Sequence, residues 1–318
     1  MKSELLYVAS TVSGSGSLNH AVRPATVTFL DGFLNLGRLS SGSLVEQSRT
    51  LMQELSGLSE NTPPDGVADQ PLSFVQDHLE QCRVPRTLRL GFGRDLHDCL
   101  CFGWMRALHR SENPGVIHSV QRIRLDLLAG GRLAETRSNP DFALESSWEE
   151  VRDQELEEVD RLWAALLAPN PSLLNLLLHE AKLPHIQRAA QILAARFPHH
   201  TDGLCDWERR ILNTLQPGLC VSGLIRVCVV EAGMVEPPRT HELLAHLRAL
   251  GSLVQRELPW RVYGPDSSKL TLSEAGRAVL AGQPAFEHLP YERWVGGIQL
   301  SGPHGLWVQG PDGQIITR

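Results

Sequence analysis

Short apolar segments alternate with helix-spaced ones through the first third of the chain, and this alternation constrains the fold more than any other feature. Leu5–Ala9 is short and strand-like, and Thr26–Leu30 (TVTFL) is β-branched and apolar until it stops at Asp31–Gly32. Leu44–Leu55 has helical spacing. Ser56–Pro71 is rich in Gly, Asn, Asp and Pro and reads as a loop. Leu72–Cys82 reads as a helix, Thr87–Phe92 (TLRLGF) as a strand, and Asp95–His109 as a helix with Leu96, Leu100, Met105 and Leu108 on its apolar face. Strands separated by helices of this length predict parallel βαβ units.

Val116–Leu128 fits a strand or a helix equally well. Glu145–Asp160 (ESSWEEVRDQELEEVD) packs eight acidic residues and one Arg into sixteen positions, the pattern of a solvated helix face. The composition changes here, which predicts an α/β domain over 1–139 and a mainly helical domain over 140–318. In that second part, helices are expected at Leu156–Leu167, at Leu173–Ala181 capped by Ser172, and at His185–Phe197 opened by Pro184. Two more follow at Asp206–Leu215, with Asp206 as N-cap, and at Thr240–Leu250. Strand-like Leu253–Glu257, a turn at Tyr263–Ser268, strand-like Lys269–Leu272 and a helix over Ser273–Gly282 come next. This order resembles winged-helix domains. The Gly-rich Trp294–Arg318 predicts a hairpin. The expected fold class is therefore an α/β N-terminal domain with a short parallel sheet, followed by a helical, winged-helix-like domain.

Composition narrows the partners. Lys+Arg is 30 against Asp+Glu 36, a net charge of −6, which argues against a bulk electrostatic grip on nucleic acid. No apolar run approaches the roughly 18–20 residues needed to cross a bilayer, so no membrane partner is expected. The opening MKSELLYVAS lacks the pattern of a secretory leader, and a cytoplasmic location is expected. The six cysteines are scattered through apolar or mixed segments and are expected to be buried free thiols.

Three loops follow the strands of the first domain, and in an open parallel sheet such loops gather at one edge. The first, Ser13, Gly14, Ser15, Gly16 and Ser17, offers hydroxyls and backbone N–H groups suited to a phosphate or carboxylate. The second supplies Asp31, placed to meet a hydroxyl. The third supplies Arg94, Asp95, His97 and Asp98. In that third group Asp95 can cap a helix, while Asp95, His97 and Asp98 are the candidates for acid–base work. No metal site is expected and no cofactor is indicated. His241 and His246 are one residue too far apart for H-E-x-x-H, and neither His97/Cys99/Cys101 nor His199/His200/Asp202/Cys205 has paired C-x-x-C spacing.

Several segments resemble a bacterial family catalogued as domain of unknown function 1835. Leu90–Leu100 (LGFGRDLHDCL) is similar to its L-W-F-E-H-D-L-x-D-Q-L segment. Thr26–Gly37 (TVTFLDGFLNLG) resembles its strand ending in W-R-D, and Ser10–Leu18 lies where the family has an N-G-D-S turn. Gly203–Leu212 (GLCDWERRIL) resembles G-L-S-x-T-E-x-x-I-L, and Leu270–Gly282 resembles L-T-x-x-G-x-x-V-L-x-G. Arg293–Leu300 (RWVGGIQL) matches R-W-L-G-G-x-x-L most specifically. The chain departs from the family at Gly93-Arg94 in place of Glu-His, at Phe29-Leu30 in place of Trp-Arg, and at Cys99 in place of Gln. The resemblance implies a two-part bacterial protein with polar positions at strand ends. The residues themselves favour binding, with possible turnover, of a small phosphate-bearing or nucleotide-like molecule. A protein-interaction module and a winged-helix DNA-binding regulator are the alternatives.

Overall fold

The computed structural model describes residues 4–10, 27–29, 39, 70–84, 86–92, 95–112, 117–123, 148–215, 220, 223–224, 240–256, 269–302 and 305–318. Five strands form one mixed sheet: β1 Glu4–Ala9, β2 Val27–Phe29, β3 Arg86–Gly91, β4 Ile117–Ile123 and β5 Trp148–Glu150, in the order β2-β1-β3-β4-β5. β1 runs parallel to β2 and β3, β3 parallel to β4, and β5 antiparallel to β4. Helix α1 (Gln70–Gln81) lies between β2 and β3, and α2 (Leu96–Glu112) between β3 and β4. The α/β expectation holds. Val116–Leu128 contains a strand, because pairing with β3 overrides a local pattern that suits either state. The helix expected at Leu44–Leu55 lies outside the described residues.

β3 is buried from Thr87 through Gly91, as a central parallel strand covered on both faces must be. Its Leu88 and Leu90 share one apolar cluster with Leu100 and Trp104 of α2. Helices α3 (Asp153–Leu167), α4 (Ser172–Glu180) and α5 (Pro184–Ala194) supply more of that cluster, and so do Val295, Ile298 and Ile315 near the C-terminus. Gly103 allows α3 its close approach, since a Cβ there would sit 2.9 Å from Trp163 Cβ. A second cluster gathers α6 (Asp206–Thr214), α7 (Thr240–Ala249), strands β6 (Val254–Arg256) and β7 (Leu270–Leu272), and α8 (Glu274–Leu280). The two clusters divide the chain near residues 203 and 292, whereas the expected cut at 139/140 falls between β4 and β5 of one sheet.

The acidic run that prompted that cut is solvated in part: Glu149, Glu150, Asp153 and Glu157 are exposed. Trp148–Glu150 is an edge strand of the sheet, while the remaining described acids of α3 are engaged within the fold. Glu155 and Glu158 are buried; Glu155 pairs with Arg122, and Glu158 accepts from Arg161 at 2.7 Å and from the Lys182 backbone at 3.1 Å. Asp160 holds both Arg106 and Arg110 at 2.8 Å. Burial acts to raise the Asp160 carboxyl, but the two guanidinium groups more than offset it and hold it below the ordinary carboxylate range.

Two helix starts differ from expectation. Ser172 is the first residue of α4, with Pro171 at its N-cap, and Cys205 rather than Asp206 is the N-cap of α6. Ser273 does cap α8, accepting from the Gly276 N–H at 3.0 Å. Near the C-terminus, β8 (Trp294–Val295) and β9 (Ile298–Gln299) form a hairpin, followed by the sheet of β10 (Ser301–Gly302), β11 (Gly305–Gln309) and β12 (Ile315–Thr317). Gly296 has φ +60, and a Cβ on it would lie 2.2 Å from the Leu166 carbonyl, so both backbone conformation and space demand glycine there.

Candidate functional site

The strand order creates a switch point. From β1 the chain moves outward to β2, then crosses to β3 on the other side, so the connections leaving β1 and β3 diverge above their C-terminal ends. Ser10 directly follows β1, and Asp95–Asp98 follow β3 at the start of α2. The structure joins these two ends directly. Ser10 Oγ donates to Asp98 Oδ1, and His97 Nε2–H donates to the Ser10 carbonyl at 2.8 Å. The Cys101 sulfur lies 3.3 Å from the same His97 nitrogen. Asp95 Oδ1 accepts from the Asp98 N–H at 2.8 Å, which is the geometry of a helix N-cap. Of the sequence-derived site, Asp95, His97 and Asp98 are thus brought together with Ser10. Ser13–Ser17, Asp31 and Arg94 lie outside the described residues.

A cavity of about 10 Å³, room for about one water, opens beside Asp98. Arg122, Glu155 and His185 also line it. Arg122 Nε donates to Glu149 at 2.9 Å and its Nη1 pairs with Glu155, whose carboxylate is 3.6 Å from His185 Nε2. Sequence reasoning missed this group. Glu155 sat within the acidic run, and nothing in the local pattern of Arg122 or His185 linked them to it.

Two other clusters bring metal-ligating atoms together. In the first, His78 Nε2 and His109 Nε2 are 2.9 Å apart, and Cys82 Sγ is 3.9 Å from each. All three side chains are buried. Burial, reinforced by His109, lowers the His78 pKa to about 3, and burial lowers that of His109 to about 4. Burial pushes the Cys82 thiol up to about 12, with Arg86 acting in the opposite sense. The other His78 nitrogen, Nδ1, is 2.9 Å from Thr28 Oγ1 on β2. In the second cluster, Cys205 Sγ is 3.8 Å and Glu208 Oε1 is 3.9 Å from His246 Nδ1. Both Glu208 oxygens are already used: one pairs with Arg293, and the other accepts from the Cys205 N–H at 2.8 Å. Burial would raise the Glu208 carboxyl, but Arg293, with His246, holds it well below the ordinary range.

Of the metal groupings weighed from sequence, the first brings only His97 and Cys101 within 3.3 Å. In the second, His199 is 2.9 Å from Asp206, His200 bonds the Gln309 carbonyl at 3.1 Å, and Asp202 is held by Arg209 at 2.8 Å. Of the cysteines, Cys82, Cys99, Cys101 and Cys205 are buried free thiols and Cys220 is half-buried; Cys228 lies outside the described residues. Among the described residues no helix is long and apolar enough to cross a membrane.

No protein-family model matches this chain, and no curated protein matches its sequence.

Proposed function

We propose that this chain binds a small phosphate-bearing or nucleotide-like molecule at the C-terminal edge of its sheet, between β1 and β3. The observation that supports this most is the convergence of Ser10, His97 and Asp98 at the switch point, where ligands of open α/β sheets bind. The N-terminus of the long helix α2 opens at the same edge and favours negative charge. In this reading Ser13–Ser17 take the anion, Asp31 meets a hydroxyl, and Arg94 adds positive charge. Asp95 and His97 hold the helix and strand ends in place, and Asp98 is the candidate acid or base if a reaction follows. The segment that resembles domain of unknown function 1835 includes the described end of β3 and the start of α2. Membership of that bacterial family, with a cytoplasmic site of action, is part of the same proposal.

For the finer fold, we propose that residues 206–282 form a winged-helix unit. Cys220 pairs with Lys269 in an isolated antiparallel bridge, just before β7 of the β6–β7 pair. With a net charge of −6, a scaffolding or protein-docking role suits it better than DNA binding. The acidic-face motive for the interaction-module alternative is narrowed to the exposed Glu149, Glu150, Asp153 and Glu157, because Glu155, Glu158 and Asp160 are paired inside the chain.

Native mass spectrometry on protein gently purified from its own host tests the main reading. An added mass of a few hundred daltons is expected, reduced or lost in Asp31→Ala and Asp98→Ala. Ligand affinity unchanged in both folded variants sinks the assignment. An added mass of protein size replaces it with the interaction reading.

A further inference from the structure

We propose that His78, Cys82 and His109 form a zinc site, with His78 Nε2, His109 Nε2 and Cys82 Sγ as its three protein ligands. The site lies apart from the sheet edge described above. His97 and His109 stand near opposite ends of α2, about 18 Å apart along its axis at about 1.5 Å per residue.

Geometry carries the assignment. Donor atoms separated by 2.9, 3.9 and 3.9 Å have a common point about 2.1 Å from each, against usual zinc distances of about 2.0–2.1 Å to nitrogen and 2.3 Å to sulfur. Those usual distances place the ion about 0.5 Å off the plane of the three atoms, leaving one side for a fourth ligand, as in three-ligand zinc sites. The donors suit the ion: two imidazoles and one thiolate are a borderline-soft set, unlike the oxygen ligands preferred by calcium or magnesium.

Local structure builds the site from two helices. His78 and Cys82 are four residues apart, so α1 and the turn ending it present both on one side. His109 comes from the last turn of α2. Thr28 completes the arrangement. When His78 Nδ1 carries the proton it donates to Thr28 Oγ1, which leaves the Nε2 lone pair facing His109 and Cys82. In the binding step His109 shifts its proton from Nε2 to Nδ1, both rings ligate through Nε2 in the neutral form, and Cys82 releases its proton to solvent as sulfur coordinates. Without an ion, the 2.9 Å contact is a ring-to-ring hydrogen bond and the thiol keeps its proton. The Cys205 cluster does not offer the same opportunity, since an ion there must displace the Arg293 guanidinium from Glu208.

The test uses the full chain, freed of any histidine tag and dialysed against a chelator. Titration with Co²⁺ is expected to saturate at one equivalent, with a thiolate-to-cobalt charge-transfer band and visible bands of a four-coordinate ion. Added Zn²⁺ displaces it. Cys82→Ser, shown folded by circular dichroism, loses the charge-transfer band, whereas Cys205→Ser keeps it. Thr28→Val weakens zinc binding about 10–100-fold. X-ray absorption on the zinc-loaded unaltered chain, which needs no variant to fold, shows one sulfur and two imidazole nitrogens. Absence of saturable uptake, a band that persists in Cys82→Ser, no sulfur around the zinc, or uptake of Cu(I) with Zn²⁺ refused each overturns the proposal.

Discussion

The His78–Cys82–His109 cluster and the Cys205–Glu208–His246 cluster have almost the same ingredients and opposite electrostatics. Each is buried, and each gathers histidine with cysteine from two helices. Around Glu208 the fold supplies its own cation: Arg293 answers the carboxylate, and the Cys205 N–H takes the remaining oxygen. Around Cys82 the described residues bring no carboxylate into the cluster, and its three donors are held neutral by burial. A buried charge that is met internally stabilises one structure. Buried neutral donors converging on one point await an ion. The same residue types therefore serve folding in one place and binding in the other.

The largest expected effect lies at the first of these. Arg293→Met leaves the Glu208 carboxylate buried without its partner and is expected to cost about 3–5 kcal/mol in chemical denaturation. The double variant with Glu208→Gln recovers most of that loss. A cost below about 1 kcal/mol would mean that the pair does not hold the domain together as the comparison requires.

Acid sharpens the same contrast. The folded carboxyl of Glu208 titrates below its ordinary value near 4.5, so its contribution is complete above that pH. It is lost as pH falls toward the folded value. Removing Arg293 takes away the largest influence that lowers the carboxyl, leaving His246 and the Cys205 N–H against burial, so the Glu208 carboxyl of Arg293→Met rises. The variant therefore loses less stability than the unaltered chain as pH falls and its buried charge is neutralised. Urea melts of both proteins between about pH 6 and 3 read the difference, and parallel curves would contradict it.

Zinc is the corresponding probe of the other cluster. At a free concentration about a hundred times its Kd, an ion bound only by the folded state stabilises by about 2.7 kcal/mol. Thermal melts with zinc and with chelator are expected to differ accordingly, the difference vanishing in Cys82→Ser and persisting in Cys205→Ser. An equal response from both variants would erase the distinction between the clusters.

How much of this was legible in the sequence follows from range. β1, β2, β3, α1 and α2 were readable because their apolar spacing is local. The three polar residues after β3 were readable for the same reason, since Asp95, His97 and Asp98 lie within one turn of a helix start. Their partner Ser10 is 87 or 88 positions away. The zinc cluster was invisible: His78 and Cys82 show helical spacing, but His109 lies 31 residues beyond His78 and reaches it only when α1 and α2 pack. Glu208–Arg293 joins residues 85 positions apart, a separation that no local pattern reveals. Packing constrains the segment after Arg293: the Gly296–Gly297 turn lies against the Leu166 and Leu167 carbonyls, so its glycines answer to the fold.

The distinction between polar groups satisfied by the fold and polar groups awaiting a partner also applies to Asp95. As the cap of α2 it has a structural role, and Asp95→Ala is expected to cost about 1 kcal/mol, within the roughly 0.5–2 kcal/mol typical of lost caps. Asn caps a helix as well as Asp does, so Asp95→Asn should restore stability. The decisive readout is ligand affinity in Asp95→Asn. Unchanged affinity with restored stability places Asp95 with Glu208, among groups that work for the fold. Restored stability with weakened binding means that its charge faces the ligand, and the division of labour at this sheet edge must then be redrawn, with Asp95 joining Asp98 in the site.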